Sequence, residues 1–155
     1  MVVLVEGPDG SGKTTLCNVF INKYGFTYIH LGPQVDIEET YKNLISQLKG
    51  DVVIDRAILS NEVYSEVYGG TRLSDKKYAE MVHLIDRVIL CLPKDKDRYL
   101  KEFKKLKGER EELYKDDMER VYNLFSRYKG VSRYDRFEVK DVEEYVDSFI
   151  QSNRK

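Results

Sequence analysis

The run Gly7-Pro8-Asp9-Gly10-Ser11-Gly12-Lys13-Thr14 constrains this chain more than any other stretch. It follows Val2-Val3-Leu4-Val5, an apolar segment short enough for a buried strand, and a helical pattern begins at Thr15-Leu16-Cys17-Asn18. Gly-x4-Gly-Lys-Thr between a strand and a helix is the context of a phosphate-binding loop. The glycines let the backbone curl so that its N–H groups point inward, and the helix N-terminus adds partial positive charge. Gly7, Gly10, Ser11, Gly12, Lys13, Thr14 and Thr15 are therefore the expected nucleotide-binding residues. Lys13 would reach the terminal phosphates, and the Thr14 hydroxyl would sit on magnesium.

The remainder of the chain alternates strand and helix signals. Phe26 to His30 is β-prone and stops at Gly32-Pro33. Asp36 reads as the cap of a helix over 37–48, with Glu38 and Glu39 favouring its dipole. Val52-Val53-Ile54 is a buried strand that delivers Asp55-Arg56 at its C-terminal end. Helices follow over 60–68 and 74–85, then a strand over 87–92. A long charged helical region is interrupted at 107–110 and resumes over 112–128. A short fifth strand is predicted over 133–138, and Asp141 caps the last helix. This alternation implies a parallel α/β sheet with helices on both faces. In such sheets ligands gather outside the C-terminal strand ends, where Glu6, the loop, His30, Asp55 and Arg56 all fall.

Length and charge set the outer limits. The 155 residues suit a single domain, with no repeat or linker. With 26 basic against 27 acidic residues, nothing favours a nucleic acid or an anionic membrane as partner. No apolar stretch approaches the roughly 20 residues needed to span a bilayer. Met1 leads straight into a strand, so no leader is expected. Two isolated cysteines, Cys17 and Cys91, suggest a reducing compartment. The expected location is cytoplasmic.

Asp55 is placed to hold magnesium, directly or through water, and Arg56 can offer a planar fork to a phosphate. Here the chain resembles a known family. Glu6 with the loop is similar to the thymidylate kinase motif Glu-Gly-x-Asp/Glu followed by Gly-Lys-Ser/Thr. Asp55-Arg56-Ala57-Ile58-Leu59-Ser60, with Tyr64 a turn later, resembles that family's Asp-Arg segment. Glu109-Arg110-Glu111-Glu112, with Arg120 on the helix that follows, resembles its lid.

The resemblance implies a three-layer phosphate-loop fold over residues 1–155. It implies a five-stranded parallel sheet in the order 2-3-1-4-5 and a lid at about 104–116. It implies ATP as phosphoryl donor, Mg2+ as cofactor and a deoxynucleoside 5′-monophosphate as acceptor, dTMP first among them. Asp9 would bond the acceptor sugar, Arg56 its 5′-phosphate, and Ser60, Tyr64 and Tyr68 would lie along its base. Arg110 would swing in with the lid. Because Gly10 stands where some members carry an arginine, a cation from elsewhere is required. Residues 138–141 would flank the donor adenine, with Val139 the contact. Related kinases often dimerise, so a homodimer is one expected arrangement, and compact members in bacteriophages leave a host cytoplasm open.

Three departures matter. Ala57 replaces an aromatic, and the helix over 37–48 has no arginine to read a base edge, a task Arg72 could assume. Glu6 leaves open a deoxynucleoside kinase, in which it would be the base for a 5′-hydroxyl. Asp-Arg at 55–56, rather than Glu-Arg-Ser, favours the monophosphate acceptor. A guanine-reading switch would carry Asn-Lys-x-Asp, which does not occur. A polynucleotide kinase would want a basic track for the strand.

Overall fold

Runs of four or five residues, too short for helices and rich in Val and Ile, become the three central strands of this fold. The structure is a computed structural model, and it describes residues 1–31, 36–107 and 115–154. The chain runs β1 (Val2–Glu6), α1 (Lys13–Tyr24), β2 (Thr27–His30), α2 (Ile37–Ser46), β3 (Val52–Asp55), α3 (Ile58–Tyr68), α4 (Asp75–Leu84), β4 (Arg87–Cys91), α5 (Lys96–Lys107), α6 (Lys115–Phe125), β5 (Ser132–Tyr134) and α7 (Val142–Asn153). The five strands form one parallel sheet in the order β2-β3-β1-β4-β5, as expected.

Strand β1 lies at the centre, paired to β3 on one side and β4 on the other, and is buried along its length. Alternate residues serve opposite faces. Val3 and Val5 pack with Leu16, Phe20, Phe26 and Phe149 under α1 and α7. Leu4 and Ile54 pack with Tyr41, Met81, Tyr99 and Phe125 on the other side. Two core layers, one per sheet face, fix β1 and hence the loop that leaves it.

Three helix starts follow the sequence signals: Asp36, Ser74 and Asp141 accept first-turn N–H bonds of α2, α4 and α7. Asp95, which no expectation named, does the same for α5. One strand differs from its prediction. The fifth strand ends at Tyr134, not at 138, because Asp135 turns the chain. Its Oδ1 accepts the Phe137 N–H at 3.0 Å, its Oδ2 accepts the Lys94 N–H at 2.9 Å, and its carbonyl accepts from Glu138 and Val139. Strand β2 ends at His30, while Gly32-Pro33, most of the interruption predicted at 107–110 and the Arg110 segment lie outside the described residues. Among the described residues no helix is long and apolar enough to cross a membrane.

Candidate active site

The loop after β1 must be glycine at its first position. Gly7 has φ +145°, and a Cβ there would stand 2.2 Å from the Cys91 carbonyl at the end of β4. Ser11 Oγ and Lys13 Nζ both donate to the Pro8 carbonyl, at 2.7 and 2.8 Å, which closes the loop on itself. Tyr99 of α5 donates its hydroxyl to the Asp9 carbonyl.

Helix α1 differs from its neighbours at its start. Its N-cap is Gly12 in a left-handed conformation, it has no acidic residue in the first turn, and no side-chain oxygen meets its first N–H groups. The starts of α2, α3, α4, α5 and α7 each have such a partner, and unpaired N–H groups at a helix N-terminus suit an anion. The first turn opens on a cleft of about 560 Å³ lined by Asp9, Gly10, Gly12, Lys13, Thr14, Thr15, His30, Asp55, Arg56 and Arg136. Burial, followed by the charge of Arg56, lowers the Lys13 ammonium below its ordinary value. An anion beside Lys13 would oppose that shift.

Asp55 is buried at the end of β3. Its Oδ2 accepts the Tyr28 hydroxyl at 2.8 Å, with His30 Nδ1 at 3.7 Å. Its Oδ1 has no hydrogen-bond partner among the described residues. Thr14 is exposed in the same cleft. A hydroxyl and a carboxylate oxygen are hard donors, and so few of them suit Mg2+, which takes its remaining ligands from water and phosphate. Among the described residues no cluster of three His, Cys, Asp or Glu side chains forms a closed cage.

Arg56 is the one non-glycine residue with positive φ among those described, at 68°. Such a conformation costs on the order of 1–3 kcal/mol and persists where the surroundings dictate it. Here its N–H donates to the Val5 carbonyl at 2.9 Å, and its guanidinium pairs with the Asp9 carboxylate. The guanidinium carbon lies 5.3 Å from the Tyr64 ring centroid. Arg56 and His30 also line a second cleft, of about 460 Å³, together with Ile37, Tyr41, Ala57, Ser60, Asn61, Tyr64 and Tyr68. The Tyr64 and Tyr68 rings stack at 6.1 Å with planes 7° apart. The Tyr64 hydroxyl is buried and has no partner among the described residues, and burial pushes its pKa up to about 12.

Glu6 is wholly buried and serves α3. Ala57, which precedes that helix, has no side-chain oxygen to cap it. Glu6 Oε2 accepts the N–H groups of Ala57, Leu59 and Ser60 at 3.2, 2.7 and 3.0 Å, and Oε1 accepts the Ser60 hydroxyl at 2.5 Å. Burial outweighs these bonds and raises the Glu6 pKa. Glu6 lines neither cleft, and the Ser60 proton is engaged with it.

Other candidates fall elsewhere. Arg72 lines neither cleft. Its side chain is 69% exposed, with the guanidinium 3.9 Å from Glu62. Arg120 donates to the Glu66 carbonyl at 3.3 Å, and Val139 packs against the core under α1 and α7. Arg110 lies outside the described residues. Arg136 was missed, because reading 133–138 as a strand hides the turn. Asp135 at the strand's end was the available signal, since aspartate favours such turns.

No protein-family model matches the chain. The replication factor C large subunit of Methanococcus aeolicus is 36% identical over 77 residues, which is 48% of this chain and 16% of that protein. The chain thus matches about a sixth of that relative's length. Solved structures match far more completely. A Bacillus subtilis YorR protein in complex with phosphorylated GDP superposes with a TM-score of 0.79 at 18% identity, over 98% of this chain and 95% of that one. A deoxyadenosine kinase from M. mycoides with bound dATP gives 0.63 at 16%, over 97% and 100%. A thymidylate kinase from Ehrlichia chaffeensis gives 0.51 at 18%, over 97% and 98%. The shared feature is the phosphate-loop α/β fold.

Proposed function

We propose that the chain transfers the γ-phosphate of ATP to a deoxynucleoside 5′-monophosphate, with dTMP the first candidate acceptor. One observation carries the reading: a phosphate cleft and an aromatic-walled cleft share Arg56 and His30 as a common wall. Two bound anions would otherwise repel, and a cation at the junction lets them approach.

On this reading the donor polyphosphate lies on the loop N–H groups and the first turn of α1, with Lys13 at its terminal phosphates. Thr14 and Asp55 would hold Mg2+, which supplies charge neutralisation on the donor phosphates when bound. Tyr28 keeps Asp55 oriented by engaging one of its oxygens. The acceptor base lies against Tyr64 and Tyr68, and Arg56 exchanges its pairing with Asp9 for the acceptor phosphate. Asp9, thus released, is available to the acceptor sugar. A monophosphate is already an oxyanion near neutral pH, so no general base is required. The chain's work is placement and charge.

A deoxynucleoside acceptor is the second reading, supported by the fold likeness to a deoxyadenosine kinase. Its base would be Asp9 or Asp55, which line the phosphate cleft, rather than the enclosed Glu6. The test is product analysis with ATP and magnesium against the four deoxynucleoside monophosphates and their nucleosides. Diphosphate formation from at least one monophosphate supports the proposal. Consumption of nucleosides alone would replace it with the second reading.

A further inference from the structure

The turn set by Asp135 carries Arg136 over the phosphate loop. Its Nε–H donates to the Gly10 carbonyl at 2.7 Å, and a terminal nitrogen donates to Glu102 Oε2 of α5 at 2.9 Å. The guanidinium carbon lies 4.5 Å from the Phe137 ring centroid. The stem passes so close to the loop that a Cβ on Gly12 would meet Arg136 Cβ and Cδ at 3.5 and 3.6 Å. Arg136 lines the phosphate cleft together with Lys13 and Thr14.

We infer that Arg136 binds the polyphosphate of the donor nucleotide, an inference that rests on the proposal that this cleft takes the donor. Its contacts with the described residues engage Nε and one terminal nitrogen, and a guanidinium has N–H groups beyond those. A fork fixed by a carbonyl, a carboxylate and a ring is already ordered, so little side-chain entropy remains to be lost on meeting an anion. Glu102 offsets part of the charge but also holds the fork in the cleft wall. The cation comes from the turn after β5 and lines the same cleft as Lys13. The same contacts could instead serve as a strap that shapes the loop. That alternative predicts equal losses for every adenine nucleotide, whereas a phosphate contact predicts losses that grow with phosphate number.

The experiment is calorimetric titration of the full chain with ATP, ADP and AMP in magnesium, without acceptor, for wild type, Arg136→Gln and Arg136→Lys. Glutamine removes the charge and keeps a donor for the loop, and thermal midpoints report folding. The inference predicts ATP binding weakened roughly 10- to 100-fold in Arg136→Gln, the range for a lost charged hydrogen bond. AMP binding should change less than about twofold on the same grounds, and lysine should recover part of the ATP loss. Unchanged ATP binding in Arg136→Gln, or equal losses for ATP and AMP, overturns the inference and leaves the donor cleft standing. Wild type that binds no ATP overturns the donor cleft itself.

Discussion

The cleft at the loop draws most of its lining from one run, residues 9–15, whereas the neighbouring cleft gathers its walls from His30, Leu31, Ile37 and Tyr41, from 56–65 and from 68–71. The first owes its shape to backbone, with glycines at particular φ values and a helix start left without a side-chain cap, and its charge to Lys13, Asp55, Arg56 and Arg136 around that loop. The second is shaped by side chains, chiefly Tyr41, Tyr64 and Tyr68, together with Arg56 in its strained conformation. A site made of backbone varies little with sequence and suits what every nucleotide shares, its phosphates. A site made of side chains can be retuned residue by residue and suits what differs, the base. Glu6 joins the two, since it ends the strand feeding the loop and caps the helix that carries Ser60 and Tyr64.

If the division is right, substitutions should separate donor from acceptor. The largest effect belongs to Lys13→Met. Transfer should fall by about 100- to 1,000-fold, the cost of losing a preorganised charge at the reacting phosphates. Initial rates with saturating acceptor measure this, and a loss under tenfold would place the donor elsewhere. Arg56→Ala should come next. Its acceptor kcat/KM should drop roughly 30- to 100-fold, from the loss of a charged hydrogen-bond pair, with ATP affinity within about twofold of wild type. Equal losses for both substrates would erase the boundary between the clefts.

Tyr64→Phe is gentler and sharper. The hydroxyl is buried without a partner among the described residues, so removing it should leave unfolding free energy unchanged or raise it by up to about 1 kcal/mol. If that hydroxyl bonds the acceptor, kcat/KM for the acceptor should still fall about fivefold, as expected for one neutral hydrogen bond. Denaturant titration and steady-state kinetics together read the two signs.

The smallest effect on transfer should come from Glu6→Gln, within about threefold of wild type, since an amide can keep the cap on α3. Its signature is instead in stability against pH. Below 4.5, the ordinary value, the carboxyl is protonated in folded and unfolded chains alike, and its burial is tolerated. As pH rises, the unfolded chain ionises first because the folded value is raised. Wild type should therefore lose stability relative to the amide variant as pH climbs through that folded value. A flat difference between pH 4 and 8 would contradict the buried carboxyl as described. Abolished nucleoside phosphorylation in this variant would restore Glu6 as a base.

The same contrast governs what could be read from the sequence. The loop, the parallel sheet and the position of Asp55-Arg56 at a strand end were legible because each depends on neighbours within a few residues, or on the regular alternation of strand and helix; the strand order came only with the family resemblance. Glu6 was not, because its four bonds go to residues 57–60, some fifty positions away, and nothing local marks a remote helix cap. Arg72 followed the same pattern in reverse. After Gly69-Gly70 it could have faced the base, but the fold leaves it beside Glu62 in solvent. Arg136 is hidden by the strand predicted over 133–138, which runs past Asp135, where β5 has ended and the chain turns. Arg110, from which the resemblance expects a cation, lies outside the described residues, whereas Arg136 lies in the cleft wall.

On the proposed reading, phosphate passes between the two clefts. The decisive measurement incubates ATP labelled at its γ-phosphate with the chain, magnesium and dTMP. Label is expected in dTDP, one for each ATP consumed, with that product lost in Arg56→Ala. Label recovered only as inorganic phosphate, with each of the four deoxynucleoside monophosphates unchanged in turn, would contradict that reading.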